Sequence, residues 1–168
     1  MLLTPTGRGP QVGAVCFGRV RDFDVTDINN MGAAMAPAAA ETLLRFFARS
    51  GRRPEDYDAI YTGDLGFVGS RLLLEILQSE GLPLQNHQDC GLLLYDRTRQ
   101  QVKAGGRGAG CSAAVLAAHI LPGLAKGQLR RVLLLSTGAL MSQTTFLQGE
   151  SIPGIAHLVE LLAPDVPV

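Results

Sequence analysis

The chain has 168 residues, and its 15 Lys and Arg balance its 15 Asp and Glu, so the net charge is zero at neutral pH. That balance gives no reason to expect nucleic acid or an anionic lipid surface as a partner. Three widely spaced cysteines without a Cys-x-x-Cys pair argue against a disulfide framework or a zinc site and fit a reducing, cytoplasmic compartment. No apolar run reaches the roughly 18–20 residues needed to span a bilayer, so we expect a soluble chain.

The first part of the chain predicts a leader followed by a strand and a helix. Residues 1–10 contain two prolines and two glycines and are expected to be a leader or the remnant of a linker, with one domain over 11–168. The apolar residues of 11–20 predict a strand, and a turn-rich passage follows it. Apolar residues at helical spacing predict a helix over 35–51.

Three further predicted elements continue this alternation. The segment 59–63 is typical of a brief buried strand, and 69–81 predicts a second amphipathic helix. The apolar run in 89–96 predicts a short strand, within a loop-rich stretch where His87 is expected to be exposed. A glycine loop over 103–110 follows it.

The last part of the chain predicts a third helix and two strands. The helix begins near Cys111, and Pro122 should kink it or thin its end. The continuous apolar run of 130–138 is typical of a strand that is buried on both faces, and 154–162 predicts a final strand. The order is β-α-β-α-β-α-β-β, which indicates an α/β protein with a mixed five-stranded sheet. We expect the last strand to be antiparallel at one edge.

The third predicted helix is apolar around its whole circumference. Eight of the nine residues from 113 to 121 are apolar, and the ninth is His119, which we expect to be a hydrogen-bonded core residue. A helix of this composition is normally buried on all sides. In a single three-layer domain, one side of each helix would be exposed to solvent. The pattern therefore indicates half of a larger fold with a buried central helix.

Six segments, in order and spacing, resemble the stage V sporulation protein AD family, and together they cover about residues 11–162. They are NNMGAAMAPAAAETL (29–43), TGDLGFVGS (62–70), NHQDCGLLLYD (86–96), GGRGAGCSA (105–113), LLSTGALMS (134–142) and ESIPGIAH (150–157). The resemblance implies a thiolase fold, built from two similar halves, of which this chain looks like the carboxy-terminal one.

The same resemblance implies a function and partners. The chain would bind dipicolinic acid, including its calcium chelate, within the apparatus that moves dipicolinate during spore maturation and germination. It would meet other stage V sporulation A membrane proteins, which would hold it at the periphery of the forespore or spore inner membrane. It would form a homodimer or pair with the missing amino-terminal half.

Two positions bear on whether the chain is an enzyme. Condensing enzymes of this fold take a His after the second strand and a His or Asn from a glycine-rich turn, and the resemblance places Asp64 and the loop 105–110 there. An ionised Asp64 would repel a developing enolate, so we predict no catalytic residue. We also predict no cofactor and no metal. The alternatives are an acyltransferase of the ketoacyl-synthase or thiolase type, acting on coenzyme A thioesters, and an assembly surface alone.

Ten residues are candidates for binding the ligand. The glycine loop can bring backbone N–H groups close to an anion at a helix start, and Arg107 could pair with a carboxylate. Carboxyl ends of parallel strands are where α/β sheets bind ligands. The glycines could equally serve tight packing alone, Arg107 could be solvated, and an Asn in a loop often makes turns. The candidates are Asn30, Gly63, Asp64, Gly106, Arg107, Gly110, Cys111, Ser112, Thr137 and Gly138.

Overall fold

One mixed five-stranded sheet organises the chain. The structure, a computed structural model, describes residues 3–106 and 108–167. The strands lie in the order β1-β5-β4-β2-β3. Their bounds are β1 (Gln11–Cys16), β2 (Ala59–Thr62), β3 (His87–Asp89), β4 (Arg131–Ala139) and β5 (Gly154–Leu162).

Helices cover both faces of this sheet. Two long ones pack on one face, and a helical run over 109–125 packs on the other. A 3₁₀ turn at Pro54–Asp56 and two short helices lie in connections. The helices are α1 (Met31–Ser50), α2 (Gly66–Ser79), α3 (Cys90–Leu93), α4 (Ala109–Val115), α5 (Leu121–Ala125) and α6 (Gln143–Leu147). Among the residues described, no helix combines the length and the apolar character that crossing a membrane requires.

The alternation along β4 shows why two layers of helices are needed. Leu133 and Leu135 belong to the core beneath α1 and α2, whereas Val132 and Leu134 belong to the core beneath the run 109–125. All four are buried. The prediction of a strand with two buried faces is therefore confirmed, and so is the α/β class with a mixed five-stranded sheet.

The position predicted for the last strand is half right. β5 is antiparallel to β4, as expected, but it lies inside the sheet, because β1 pairs along its other side and is itself antiparallel to β5. β1 is the edge strand, and its register shifts between Val12 and Val15. The strand ends at Cys16 rather than at residue 20.

The strand predicted over 89–96 is wrong. The strand occupies His87–Asp89 and pairs with β2, while Cys90–Leu93 forms a helical turn. His87 is not exposed as expected, because its ring lies half-buried beside Thr62. The apolar residues that suggested a strand therefore belong to the helical turn that follows β3.

The helical run 109–125 covers the sheet with one side only. Its middle, Leu116–Ile120, is π-helical, directly before Pro122, which has no N–H to donate to the preceding turn. Cys111, Val115 and Ile120 are buried against the sheet. His119 was expected in the core, and this is wrong, because its side chain is exposed, although its Nε2 lies 3.3 Å from the Tyr61 hydroxyl oxygen. A row of alanines on the same outer side of the run is also exposed in this chain: Ala113, Ala114, Ala117 and Ala118.

Candidate functional site

The carboxyl ends of β2 and β4 form the centre of the candidate site. The strands are parallel, with Thr62 opposite Leu135, so the residues that follow each strand emerge side by side. A Cβ placed on Gly63 would lie 2.8 Å from the Thr137 hydroxyl oxygen. Only glycine allows the two chain segments to approach this closely, and the close approach brings Asp64 onto Thr137.

Asp64 holds two loops together. Its Oδ1 accepts a hydrogen bond from the Thr137 hydroxyl at 2.9 Å, and its backbone N–H donates to that hydroxyl oxygen at 3.1 Å. Its Oδ2 accepts from the backbone N–H of Gly108 at 2.8 Å. The carboxylate therefore joins the end of β2, the end of β4 and the glycine loop.

A cavity of about 370 Å³ opens beside these loops. That volume lies within the range of about 300–1,000 Å³ that small-molecule sites occupy. Among the described residues that line it, Asp64 is the sole charged one. The lining residues are Asn29, Asn30, Met31, Gly32, Met35, Asp64, Leu65, Gly66, Val68, Ala104, Gly108, Thr137, Gly138 and Ala139.

Two glycines bring the helix starts together at the cavity wall. A Cβ on Gly32 of α1 would lie 2.3 Å from the carbonyl oxygen of Leu65, and one on Gly69 of α2 would lie 2.8 Å from the Cα of Gly32. Larger side chains at either position would push α1 and α2 apart. The same contact therefore sets the width of the cavity between the helix starts and the strand ends.

The structure brings some of the predicted residues together and separates others. Asn30, Asp64, Thr137 and Gly138 line the cavity, and Gly63 lies directly behind Thr137. Arg107 lies outside the described residues. The other predicted residues, which belong to the glycine loop and the start of α4, do not line the cavity: Gly106, Gly110, Cys111 and Ser112.

The backbone of the glycine loop is used internally. The sequence predicts N–H groups that face a ligand, but the N–H of Gly106 donates to the carbonyl of Gly91 at 2.7 Å. The N–H of Gly108 donates to Asp64. At these two positions, the protein itself supplies the acceptor that an anion was expected to supply.

Asp89, which is not among the predicted site residues, supports the cavity wall from below. It is 2 % exposed. One oxygen accepts from the Thr62 hydroxyl at 2.7 Å and from the N–H of Leu65 at 2.9 Å, while the other accepts from the N–H of Gly66 at 3.0 Å. Asp89 thereby fixes the segment that carries Asp64. The run of polar residues at 86–89 is unusual for a strand and could have marked this position as functional. It could not identify the hydrogen-bond partners of Asp89, because they lie more than 20 residues earlier in the chain.

Burial shifts the pKa values of two groups beneath the wall in opposite directions. It raises the pKa of Asp89, against the effect of the hydrogen bonds from Thr62, Gly66 and Leu65. It lowers the pKa of His87 to about 4. His87 is therefore neutral at physiological pH, and its Nε2 lies 3.0 Å from the Thr62 hydroxyl oxygen. Since that hydroxyl donates to Asp89, Nε2 carries the proton.

The two thiols near the glycine loop are protonated. Burial, followed by nearby carboxylates, raises the pKa of Cys111 to about 11 and that of Cys90 to about 12. Both side chains are buried. A thiol needs to ionise to act as a strong nucleophile, so neither cysteine has the character of a catalytic nucleophile in this chain.

Comparisons with known proteins found a matching family, a curated relative and a similar solved structure. The family model described as stage V sporulation protein AD matches residues 1–162. The stage V sporulation protein AD of Bacillus subtilis (strain 168) is 46% identical over 158 residues, which is 94% of this chain and 46% of that protein. The chain thus spans less than half the length of this relative. The crystal structure of cerulenin-bound OleA from Xanthomonas campestri aligns with 91% of this chain and 38% of its own, with a TM-score of 0.49 and 14% identity.

Proposed function

Because the chain belongs to the stage V sporulation protein AD family, we propose that it is a non-enzymatic, dipicolinic acid-binding part of the spore apparatus that takes up and releases dipicolinate. The observation that carries the proposal is the cavity at the carboxyl ends of β2 and β4. It lies where α/β sheets bind ligands, and its size suits a small aromatic acid.

The cavity walls offer a suitable surface for a flat ring. Met31, Met35 and Val68 supply apolar side chains on one side, and methionine sulfur packs favourably against aromatic rings. Asn30 precedes α1 without making a side-chain capping hydrogen bond to it. Its amide can therefore donate to a ligand carboxylate, whereas the Thr137 hydroxyl proton is already donated to Asp64.

The charge of the described lining residues favours the calcium chelate over the free dianion. Asp64 is the one charged group among the described lining residues, and a carboxylate repels two further carboxylates. Calcium prefers carboxylate and amide oxygens as ligands, so Asp64 and Asn30 suit the metal side of the chelate.

Three features support a non-enzymatic role. Asp64, the second residue after β2, stands where the condensing enzymes of the fold carry a histidine, and its carboxylate is already bonded to Thr137 and Gly108. The thiols of Cys90 and Cys111 are protonated at neutral pH because burial raises their pKa values. A carboxylate that links two loops and two neutral thiols are better suited to ligand binding than to acyl transfer.

Calorimetric titration tests this function directly. Dipicolinate would be added, with and without equimolar calcium, to this chain mixed with the portion of the Bacillus subtilis relative that it does not cover. We expect heat of binding, stronger with calcium, that weakens upon Asn30→Ala but not upon the control change Gln78→Ala at the exposed far end of α2. Acetyl or malonyl coenzyme A would be offered to the same mixture. Turnover of the thioester without any binding of dipicolinate would favour the acyltransferase instead.

A further inference from the structure

A second concave surface lies far from the cavity, between the edge strand β1 and the carboxy-terminal half of α1. We name it the arginine groove. Its volume is about 350 Å³. It contains exposed apolar side chains and two guanidinium groups one helical turn apart. Its lining residues are Val15, Cys16, Phe17, Arg45, Phe46, Arg49 and Ser50.

The apolar part of the arginine groove is unusually open to water. Phe17 is 75% exposed and Val15 is 50% exposed, whereas Phe46, which forms the floor, is 5% exposed. Two large apolar side chains that stand over a buried aromatic floor leave a surface that an apolar side chain of another molecule can cover.

The charge of the arginine groove has one sign. Arg45 and Arg49 are its two charged lining residues, and Glu41, one turn earlier on α1, is bonded to Arg21. Arg45 donates through Nη2 to the carbonyl of Phe17 at 3.0 Å. Its Nε and Nη1 are buried and have no hydrogen-bond partner among the described residues. Unsatisfied donors on a buried guanidinium are costly, and a small rotation of the side chain would present them to a carboxylate in the groove.

We propose that the arginine groove binds a short extended segment of a partner protein, in which a carboxylate side chain lies next to an apolar one. The carboxylate would bind Arg45 and Arg49, and the apolar side chain would pack on Phe17, Val15 and Phe46. This proposal is independent of dipicolinate binding, because the groove and the cavity share no lining residue.

Two other modes of use fit less well. Addition of a strand to β1 is hindered by the irregular register between Val12 and Val15, since bulges of this kind protect sheet edges. An anionic membrane is disfavoured because the exposed segment 17–27 beside the groove carries two arginines but three aspartates. Binding of a protein segment through its side chains matches both the positive charge and the concave shape of the arginine groove.

Selection from a phage-displayed library of random dodecapeptides on this chain tests the proposal. We expect the recovered peptides to be enriched in Asp or Glu adjacent to Phe, Leu, Ile or Val. In fluorescence anisotropy, a synthetic copy of the strongest peptide should bind roughly tenfold more weakly to Arg49→Gln, which removes a charge-assisted contact. The same peptide should also bind more weakly to Arg45→Lys, which keeps the positive charge but loses the planar guanidinium that can donate two parallel hydrogen bonds to one carboxylate. The control Arg99→Gln, on a distant exposed loop, should bind like the wild type.

Several outcomes would overturn the proposal. Recovered peptides without acidic enrichment would do so, and so would peptides that bind Arg49→Gln as tightly as the wild type. Since Arg49 is exposed, its replacement should not unfold the chain, and a thermal melt checks this. Co-sedimentation with phosphatidylglycerol vesicles that depends on Arg45 and Arg49 would assign the groove to a membrane. Self-association that is lost in Arg49→Gln would assign it to a second copy.

Discussion

The carboxylate of Asp64, which follows β2, lies 2.9 Å from the hydroxyl oxygen of Thr137 in β4, more than 70 positions later in the chain. The contact closes the carboxyl edge of the sheet above β2 and β4. Because the same carboxylate also accepts from Gly108, one side chain links both strand ends to the glycine loop. The shape of the cavity therefore depends on Asp64, whether or not Asp64 contacts a ligand.

Thr137→Val should loosen this link while leaving the shape of the side chain unchanged. The substitution removes the hydroxyl that donates to Asp64 and accepts from its backbone N–H. We expect a loss of about 1–2 kcal/mol in the free energy of unfolding, since half-buried polar groups lose their partner. Urea denaturation measures it, and amide exchange at Gly108 should become faster. The control Thr144→Val on the exposed helix α6 should be close to neutral, and an equal loss there would contradict the assignment.

Asp89→Asn should destabilise the wall of the cavity more strongly. An amide has one acceptor oxygen, whereas Asp89 accepts from Thr62, Leu65 and Gly66 with both of its oxygens. The NH₂ group would face at least one donor, so we expect a loss of about 2–4 kcal/mol. Thermal and urea unfolding measure it. Asp165→Asn removes an exposed ion pair with Arg130 and should cost at most about 1 kcal/mol; a similar loss in both variants would refute the role given to Asp89.

Acid should destabilise the fold through His87. Burial lowers its folded pKa to about 4 from an ordinary value of 6.5, so the unfolded chain binds the extra proton first. The contribution of His87 is fully present above pH of about 6.5 and is lost as the pH falls towards 4. We expect the wild type to lose stability over this range more steeply than His87→Gln, whose amide can still donate to Thr62. Urea unfolding at a series of pH values measures the difference, and parallel curves would contradict a buried neutral His87.

The elements predicted well from the sequence are those whose local pattern decides their structure. β5 was predicted with the bounds it has, and β4 to within one residue, because a continuous apolar run fits a strand with both faces buried. α1 begins four residues earlier than predicted. The small residues before Met35 show no periodic apolar face, yet they pack closely against the start of α2.

The elements predicted badly depend on partners that are distant in the chain. β3 consists of three polar or half-buried residues, and it is held by β2 and by the bonds of Asp89 to Thr62, Leu65 and Gly66. The apolar residues that follow β3 suggested a strand there, because the local sequence pattern carries no information on hydrogen bonds to distant residues. Similarly, glycines predict a flexible backbone but not its acceptors, so the use of the Gly106 and Gly108 N–H groups within the protein could not be foreseen.

Gly13→Ala should disturb the edge strand through a buried charge. A Cβ at this position would lie 2.4 Å from Oε2 of Glu160, which is 1% exposed and accepts from Arg131 at 2.7 Å and from the Ala14 N–H at 3.0 Å. We expect a loss of about 1–3 kcal/mol, as for overpacked sites. Gly110→Ala is the matched control, because it meets open space inside a helix and should be neutral or stabilise by up to about 1 kcal/mol. Equal stability of both variants in urea would contradict the contact.

The exposed alanine row on 109–125 should make the isolated chain self-associate. Ala114, Ala117 and Ala118 present small apolar side chains to water, and such residues let two helices approach closely. A second copy of this chain would bury them. Ala117→Glu places a charge in that contact, where burying it without a partner costs several kcal/mol. Sedimentation velocity should show a concentration-dependent dimer for the wild type and a monomer for Ala117→Glu. The control Gln78→Glu, on α2 at the opposite face of the sheet, should dimerise like the wild type, and a wild-type chain that stays monomeric at high concentration would contradict the prediction.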